Sequence, residues 1–378
     1  MKHLKRLLKL IGGLVVLLLL IFVVPLIGVG WQCKVWQSVE PAQSDLGSRT
    51  AVPQALQTSI DTLPEYQRPE DQTYLTLPEW YIVYSADEYA TFIEKNPPSQ
   101  FPYFRAIGQY WRSYYNVCSE IQGRYPFNSG YHLTLAVIGG SFTFENLLRG
   151  AYENTVGRLS ELLSSNELSA EDAYARKVAK EYGNFIHTIP WYEFPYAERL
   201  DGLRKEASPQ DANPIRAMER RFVLTLEYRG KASYAKLIKQ GTQSTYAPEK
   251  LEVYAWVEGI SEAALKAEPD VKQISDLGKD GVLISIPRYE AFTQIVPKLV
   301  AQGVVFKEIA GNDELLVTAF APSEQALTVT NGTLLFSMPV VIDPTVQRIM
   351  VKVAVPSLHL LLQELEEKQI KVEHLYDY

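Results

Sequence analysis

The sequence predicts an α+β protein with a single N-terminal transmembrane helix, a mainly helical middle domain and a C-terminal ferredoxin-like α/β sandwich, single or doubled. Three observations carry that prediction. Leu10 to Trp31 is an uncharged, mostly aliphatic run; helical spacing of apolar residues extends through about residue 246; and beyond residue 250 the hydrophobic period falls from 3.6 to 2.

The anchor comes first in the chain. Lys2, His3, Lys5, Arg6 and Lys9 form a basic flank over residues 1–9, followed by the span at 10–31. A helix of that length crosses a hydrocarbon core of about 30 Å, and basic residues resist translocation, so the flank should stay in the cytoplasm. A cleaved signal peptide would have a shorter apolar region, about 7–15 residues, ending in small residues. Gly28-Val29-Gly30 fits that site only loosely, and a retained anchor is the preferred reading. Trp31 and Trp36 suit the headgroup level at the far end. Pro25 is tolerable in a membrane helix and should kink it. In a bacterium this places the chain in the inner membrane, single-pass, with its bulk in the periplasm. Cys33 and Cys118 are the only cysteines, too few for a disulfide framework; two unpaired thiols are the preferred expectation and a single disulfide between them is the alternative.

With 378 residues and 47% apolar content the chain can bury one large core or two ordinary ones. A net charge of −7, with no basic stripe beyond the flank, argues against nucleic acid as a partner. Residues 37–72 are polar and punctuated by Pro41, Pro53, Pro64 and Pro69, which reads as a flexible linker.

Residues 73–247 read as a helical, aromatic-rich domain. Ser85 is a plausible N-cap for a short helix through Ile93. Tyr103 to Ile121, Ser169 to His187 and Pro214 to Gln240 show longer helical patterns. Tyr131 to Leu148 is apolar on most sides and carries one charge, Glu145. It is expected to be a buried helix; a second membrane segment is the sharper alternative. Residues 250–378 form the α+β part. Strands are expected at Leu251–Val257, Val282–Ile286, Val304–Ile309, Ile349–Val355 and Ile370–Leu375, with helices through Phe292–Leu299 and Leu358–Leu365. Two β-α-β units in this order point to the ferredoxin-like arrangement. Asn331-Gly332 between two short apolar runs predicts a hairpin.

No phosphate-binding loop, dinucleotide fingerprint, nucleophile elbow or paired-histidine zinc helix is present, so no cofactor or metal is expected. His187, which ends a helix near Trp191, Tyr192 and Glu193, is a weak catalytic candidate: a His–Glu pair in an aromatic pocket can move protons. A helix-terminal cation favoured by the dipole explains it equally well. Glu145, Arg149 and Glu153 recur every four residues, with Arg158 about a turn later. A solvated ion-pair ladder is expected, and a polar groove for an anion or headgroup if that face is buried. Trp80, Tyr81, Trp111, Trp191 and Tyr192 join Arg149, Glu153 and Arg158 as contact candidates for a ligand or partner, since tyrosine and tryptophan suit interfaces. Tyr254 and Trp256 would add a smaller exposed patch.

The function these features favour is non-enzymatic: a membrane-anchored envelope protein that binds or scaffolds another membrane or periplasmic component, with the lipid bilayer as its first partner. A small-ligand sensor and an envelope enzyme centred on His187 and Glu193 are the competing classes.

Overall fold

The computed structural model describes residues 20, 23–34, 53–63, 66–164, 168–206, 213–242, 251–324 and 327–378. The basic flank, most of the expected span and the first part of the expected linker lie outside these residues. Among the described residues no helix is long and apolar enough to cross a membrane. The protein is α+β, with a helical middle and two antiparallel four-stranded sheets toward the C-terminus.

Residues 23–32 are helical. The later helices are α1 (Gln54–Ile60), α2 (Gln72–Ile93), α3 (Tyr103–Ile121), α4 (Ser129–Tyr152), α5 (Arg158–Leu162), α6 (Ala170–Ile186), α7 (Tyr196–Glu206) and α8 (Pro214–Thr242). Glu153–Gly157 joins α4 to α5 as a π-helical turn. Side-chain caps start two of them. Asn128 accepts from the Tyr131 amide at 3.1 Å and Ser169 from the Asp172 amide at 3.0 Å, each satisfying an orphan N–H. Where α4 meets α3 the helices approach closely: a Cβ on Gly139 would overlap the Tyr110 ring.

The helix expected to begin at Ser85 begins instead at Gln72, with Ser85 buried inside it. Tyr74, Leu77, Trp80, Tyr81, Tyr84 and Glu88 are all buried, so α2 is enclosed on nearly every side. It packs against α3, α4, α6 and the second sheet.

The first sheet contains β1 (Glu252–Glu258), β2 (Lys272–Asp276), β3 (Val282–Pro287) and β4 (Val305–Ile309), in the order β2-β3-β1-β4. The second contains β5 (Glu314–Pro322), β6 (Thr333–Pro339), β7 (Val346–Ala354) and β8 (Lys371–Leu375), in the order β6-β7-β5-β8. The same permutation thus occurs twice. In the first sheet α9 (Glu262–Ala267) links β1 to β2 and α10 (Glu290–Ala301) links β3 to β4; in the second α11 (Leu358–Glu367) links β7 to β8. No helix joins β5 to β6 among the described residues.

One apolar core serves both sheets. Val253, Ala255 and Ile284 of the first meet Phe292 and Leu299 of α10, Leu361 of α11, and Leu315, Val317 and Val351 of the second. The opposite face of the second sheet contributes Leu316, Met338 and Met350 to the core of the helical layer. The expected Asn331-Gly332 hairpin does not form: residues 327–330 are not a strand, and β6 pairs with β7. A carboxylate remote in sequence prevails there, because Glu364 accepts from the amides of Thr330 at 2.9 Å and Asn331 at 2.8 Å.

The segment expected as a linker is packed where it is described. Leu56 and Tyr66 are buried with Trp256 and Leu283 on the outer face of the first sheet. The Tyr66 hydroxyl donates to Glu308 at 2.5 Å, and the Arg68 amide donates to the Ala310 carbonyl at 2.9 Å. That cover corrects the expected aromatic patch. Trp256 is 4% exposed and its indole donates to the Asp280 carbonyl at 2.6 Å, while Tyr254 stacks on Tyr66.

Candidate functional site at the disulfide and the helical layer

The described segment at residues 23–34 is held to the helical layer. Cys33 and Cys118 form a disulfide, with Cα atoms 4.7 Å apart, which corrects the expectation of free thiols. The spacing of two cysteines 85 residues apart could not reveal that α3 ends beside residues 23–34. Gln32 adds a hydrogen bond to Ser119 at 2.8 Å. His132, on the first turn of α4, accepts or donates at Nδ1 with the Tyr114 hydroxyl at 2.8 Å and lies 3.9 Å from the Cys33 sulfur. Burial lowers its pKa to about 4. A cavity of about 260 Å³ adjoins these groups, lined by Leu26, Val29, Tyr114, Phe127, Leu133 and Ala136 among others. Cys33, Cys118 and His132 have the residue types and proximity of a metal site, with ligand atoms within 4.8 Å of one another. In the bonded state neither sulfur is a thiolate, the form that binds metal.

The charges of α4 follow from its neighbour α8, which runs alongside it. Glu145 pairs with Lys231 at 2.8 Å, Arg149 with Glu227, and Glu153 with Arg220 at 2.5 Å. The Tyr152 hydroxyl donates to Glu219 at 2.5 Å. Arg149 also reaches Glu145 at 3.4 Å, whereas Glu153, on the π-helical turn, pairs with Arg220 of α8. The expected solvated ladder is therefore a helix-to-helix ion-pair seam. Burial raises the Glu153 pKa to about 7 against the pull of Arg220 and Arg216. Arg216 is itself buried, bound by Asp172 at 2.9 Å and Glu219 at 3.1 Å. Arg158 is exposed.

The catalytic candidates are not brought together. Glu193 pairs with Lys239 at 2.5 Å. His187 instead bridges two other carboxylates, Asp87 at 2.7 Å and Glu290 at 3.1 Å. Hydrogen bonds to Asp87 and then Glu290 outweigh burial and raise its pKa to about 10. An imidazole held protonated at neutral pH is a clamp between α6, α2 and α10, and a poor general base. Trp80 lies beside it at 6.1 Å between ring centroids and packs on His374 at 3.6 Å. Burial lowers the His374 pKa to about 3.

Trp80, Tyr81, Trp111 and Tyr192 are all buried. Tyr81 donates to Gln109 at 3.1 Å and the Trp111 indole to Thr143 at 2.9 Å. Trp191 is half-buried and stacks with Tyr234. These residues build the helical core.

Two features escaped the sequence reading. Arg348 of β7 is 1% exposed and paired with Glu88 of α2 at 3.1 Å and Glu373 of β8 at 2.5 Å. With Arg288–Asp377 at 2.9 Å it joins the sheets to their surroundings. None of these three pairs is local in sequence, so no spacing rule could find them. The second feature is the set of large apolar side chains left exposed on α4, α5 and α8, among them Leu133, Phe144, Leu159, Met218, Phe222 and Leu226. The expected buried helix at 131–148 is thereby corrected: Leu135 is buried, but Leu133, Val137, Phe144 and Leu148 are exposed. Comparison with protein-family models, with curated proteins and with solved structures finds no match to this chain.

Proposed function

We propose that the chain is a single-pass inner-membrane protein, N-terminus cytoplasmic, whose folded body is pinned to the extracytoplasmic face and serves as a non-enzymatic docking or scaffolding component for another membrane or periplasmic protein. One observation carries the reading. The Cys33–Cys118 disulfide lies just past the apolar run and covalently joins its exit to the helical layer. Disulfides persist in oxidising compartments such as the periplasm. A body joined at that point stays at the bilayer surface.

The repeated strand order supports reading the C-terminal part as two ferredoxin-like units, the second with a loop in place of its first helix. The ion pairs at His187, Arg348 and Glu153 favour a scaffold over a catalyst, because they fix groups that proton transfer would need to cycle.

Two measurements on intact cells test the proposal together. A reporter fused after Tyr378 through a flexible linker, active only outside the cytoplasm, should be active. The thiols of Cys33 and Cys118 should resist alkylation until a reductant is added. A silent reporter, with both cysteines alkylated without reductant, would refute it.

A further inference from the structure

We propose that the outer faces of α4–α5 and α8 are immersed in the acyl boundary of a phospholipid bilayer bearing anionic headgroups, beside the anchor. The proposal rests on the anchored reading above and adds the surface by which the body meets the lipid.

The distribution of charge on α4 is the first argument. Between Ser129 and Gly157 the acidic and basic residues are Glu145, Arg149 and Glu153, and each is ion-paired to α8. His132 is buried. What this stretch turns outward includes Leu133, Val137, Phe144 and Leu148, about half or more exposed, and Leu159 and Leu162 of α5 continue the series. Charges paired toward a neighbouring helix, with aliphatic residues outward, are the arrangement lipid imposes. In water an apolar face of this extent marks an interaction surface.

The second argument comes from α8. Ile215, Met218, Phe222, Leu226 and Leu237 are exposed at helical spacing. Its two acidic residues, Glu219 and Glu227, pair with Arg216 and Arg149, while Arg229 and Lys236 are exposed. An apolar stripe whose outward charges are basic is the chemistry of an interfacial helix on anionic lipid. Arg158, exposed where α5 begins, adds the same sign.

Continuity with the anchor decides between lipid and a protein partner. Leu26 and Val29 share a cavity with Leu133 and Ala136, so the α4 stripe starts against the segment that enters the bilayer. Val24, Ile27 and Trp31 are themselves exposed there. The chain preceding residue 20 continues the same apolar run.

The test uses the full-length protein in nanodiscs of mixed zwitterionic and anionic phospholipid, a fraction carrying a photoreactive group on the acyl chain. After illumination, lipid adducts are mapped by mass spectrometry. Adducts on residues 10–31 report the anchor, and adducts on α4–α5 and α8 report the immersed face. The expected result is labelling of both, with Phe222→Asp and Leu226→Asp lowering α8 labelling several-fold and leaving the anchor unchanged. Labelling confined to 10–31 would overturn this inference while sparing the anchored reading. Absence of label on 10–31 as well would overturn both. Cross-links between two copies through α8, without lipid adducts there, would also overturn it, assigning the face to a dimer.

Discussion

His187 offers the most quantitative handle on how the helical layer is joined to the sheets. A free imidazole titrates at 6.5, whereas His187 in the fold titrates at about 10. Because the folded pKa is the higher one, the stabilisation is complete below pH 6.5 and is lost as pH rises through about 10. At 1.36 kcal/mol per tenfold change in proton affinity, the upper bound is roughly 5 kcal/mol. The side chain is 24% exposed and Asp87 is 42% exposed, so solvent screening reduces this. About 2–3 kcal/mol is expected to survive. His187→Gln should therefore lower stability by about that amount at pH 6 and by nearly nothing at pH 10. Chemical denaturation in mild detergent, followed by tryptophan emission, reads the difference; Trp80 beside the ring is a built-in probe. Direct NMR titration of the imidazole gives the pKa independently. A pH-independent loss, or an imidazole midpoint near 6.5, would refute the clamp.

Three further outcomes follow from the buried chemistry. Arg348→Met strands Glu88 and Glu373 without their counter-charge and should cost about 3–5 kcal/mol, largely recovered when both are also changed to Gln; a single-variant loss below about 1 kcal/mol in urea denaturation would contradict the pairing. Burial opposes the Glu364 carboxylate, but hydrogen bonds from Lys368 and the Thr330 and Asn331 amides hold its pKa down at about 2. Glu364→Gln should thus cost about 1.5–3 kcal/mol at neutral pH. The deficit should narrow as pH falls from 4.5 toward 2, as thermal melts across that range would record. Replacing Cys33 and Cys118 together by Ala frees a loop closed across 85 residues, worth up to about 4.6 kcal/mol in the chain-entropy relation. A denaturation midpoint equal to that of the oxidised wild type would argue that the disulfide adds nothing.

How much was legible depended on whether an element has two unlike faces. α3 was read from Tyr103 to Ile121 by the helical spacing of Phe104, Ile107, Trp111, Tyr114, Tyr115 and Cys118; Trp111, Tyr114 and Cys118 do bury one side, whereas Phe104 and Tyr115 are exposed. β1, β3 and β7 announced themselves by alternation of residue type, although β3 and β7 are buried on both faces: Ser285 of β3 and Arg348 and Lys352 of β7 supply the polar positions. β5 did not, since Leu315, Leu316 and Val317 in succession are apolar toward both faces. α2 lost its apparent start for the same reason. At the candidate site, the four-residue spacing of Glu145, Arg149 and Glu153 was visible, but their partners on α8 were not. Asp87 and Glu290 lie 100 and 103 residues from His187, and only folding joins them.

The double burial of β5 has a mechanical consequence. Leu315 and Val317 lean into the interior common to both sheets, while Leu316 and Thr318 lean toward the helices, where the Tyr84 hydroxyl meets Thr318 at 3.0 Å. Peeling the helices away would strip one side of this ribbon and loosen the packing on the other. The two halves should therefore melt together as a single cooperative unit, and a protease that nicks one should find the other already open.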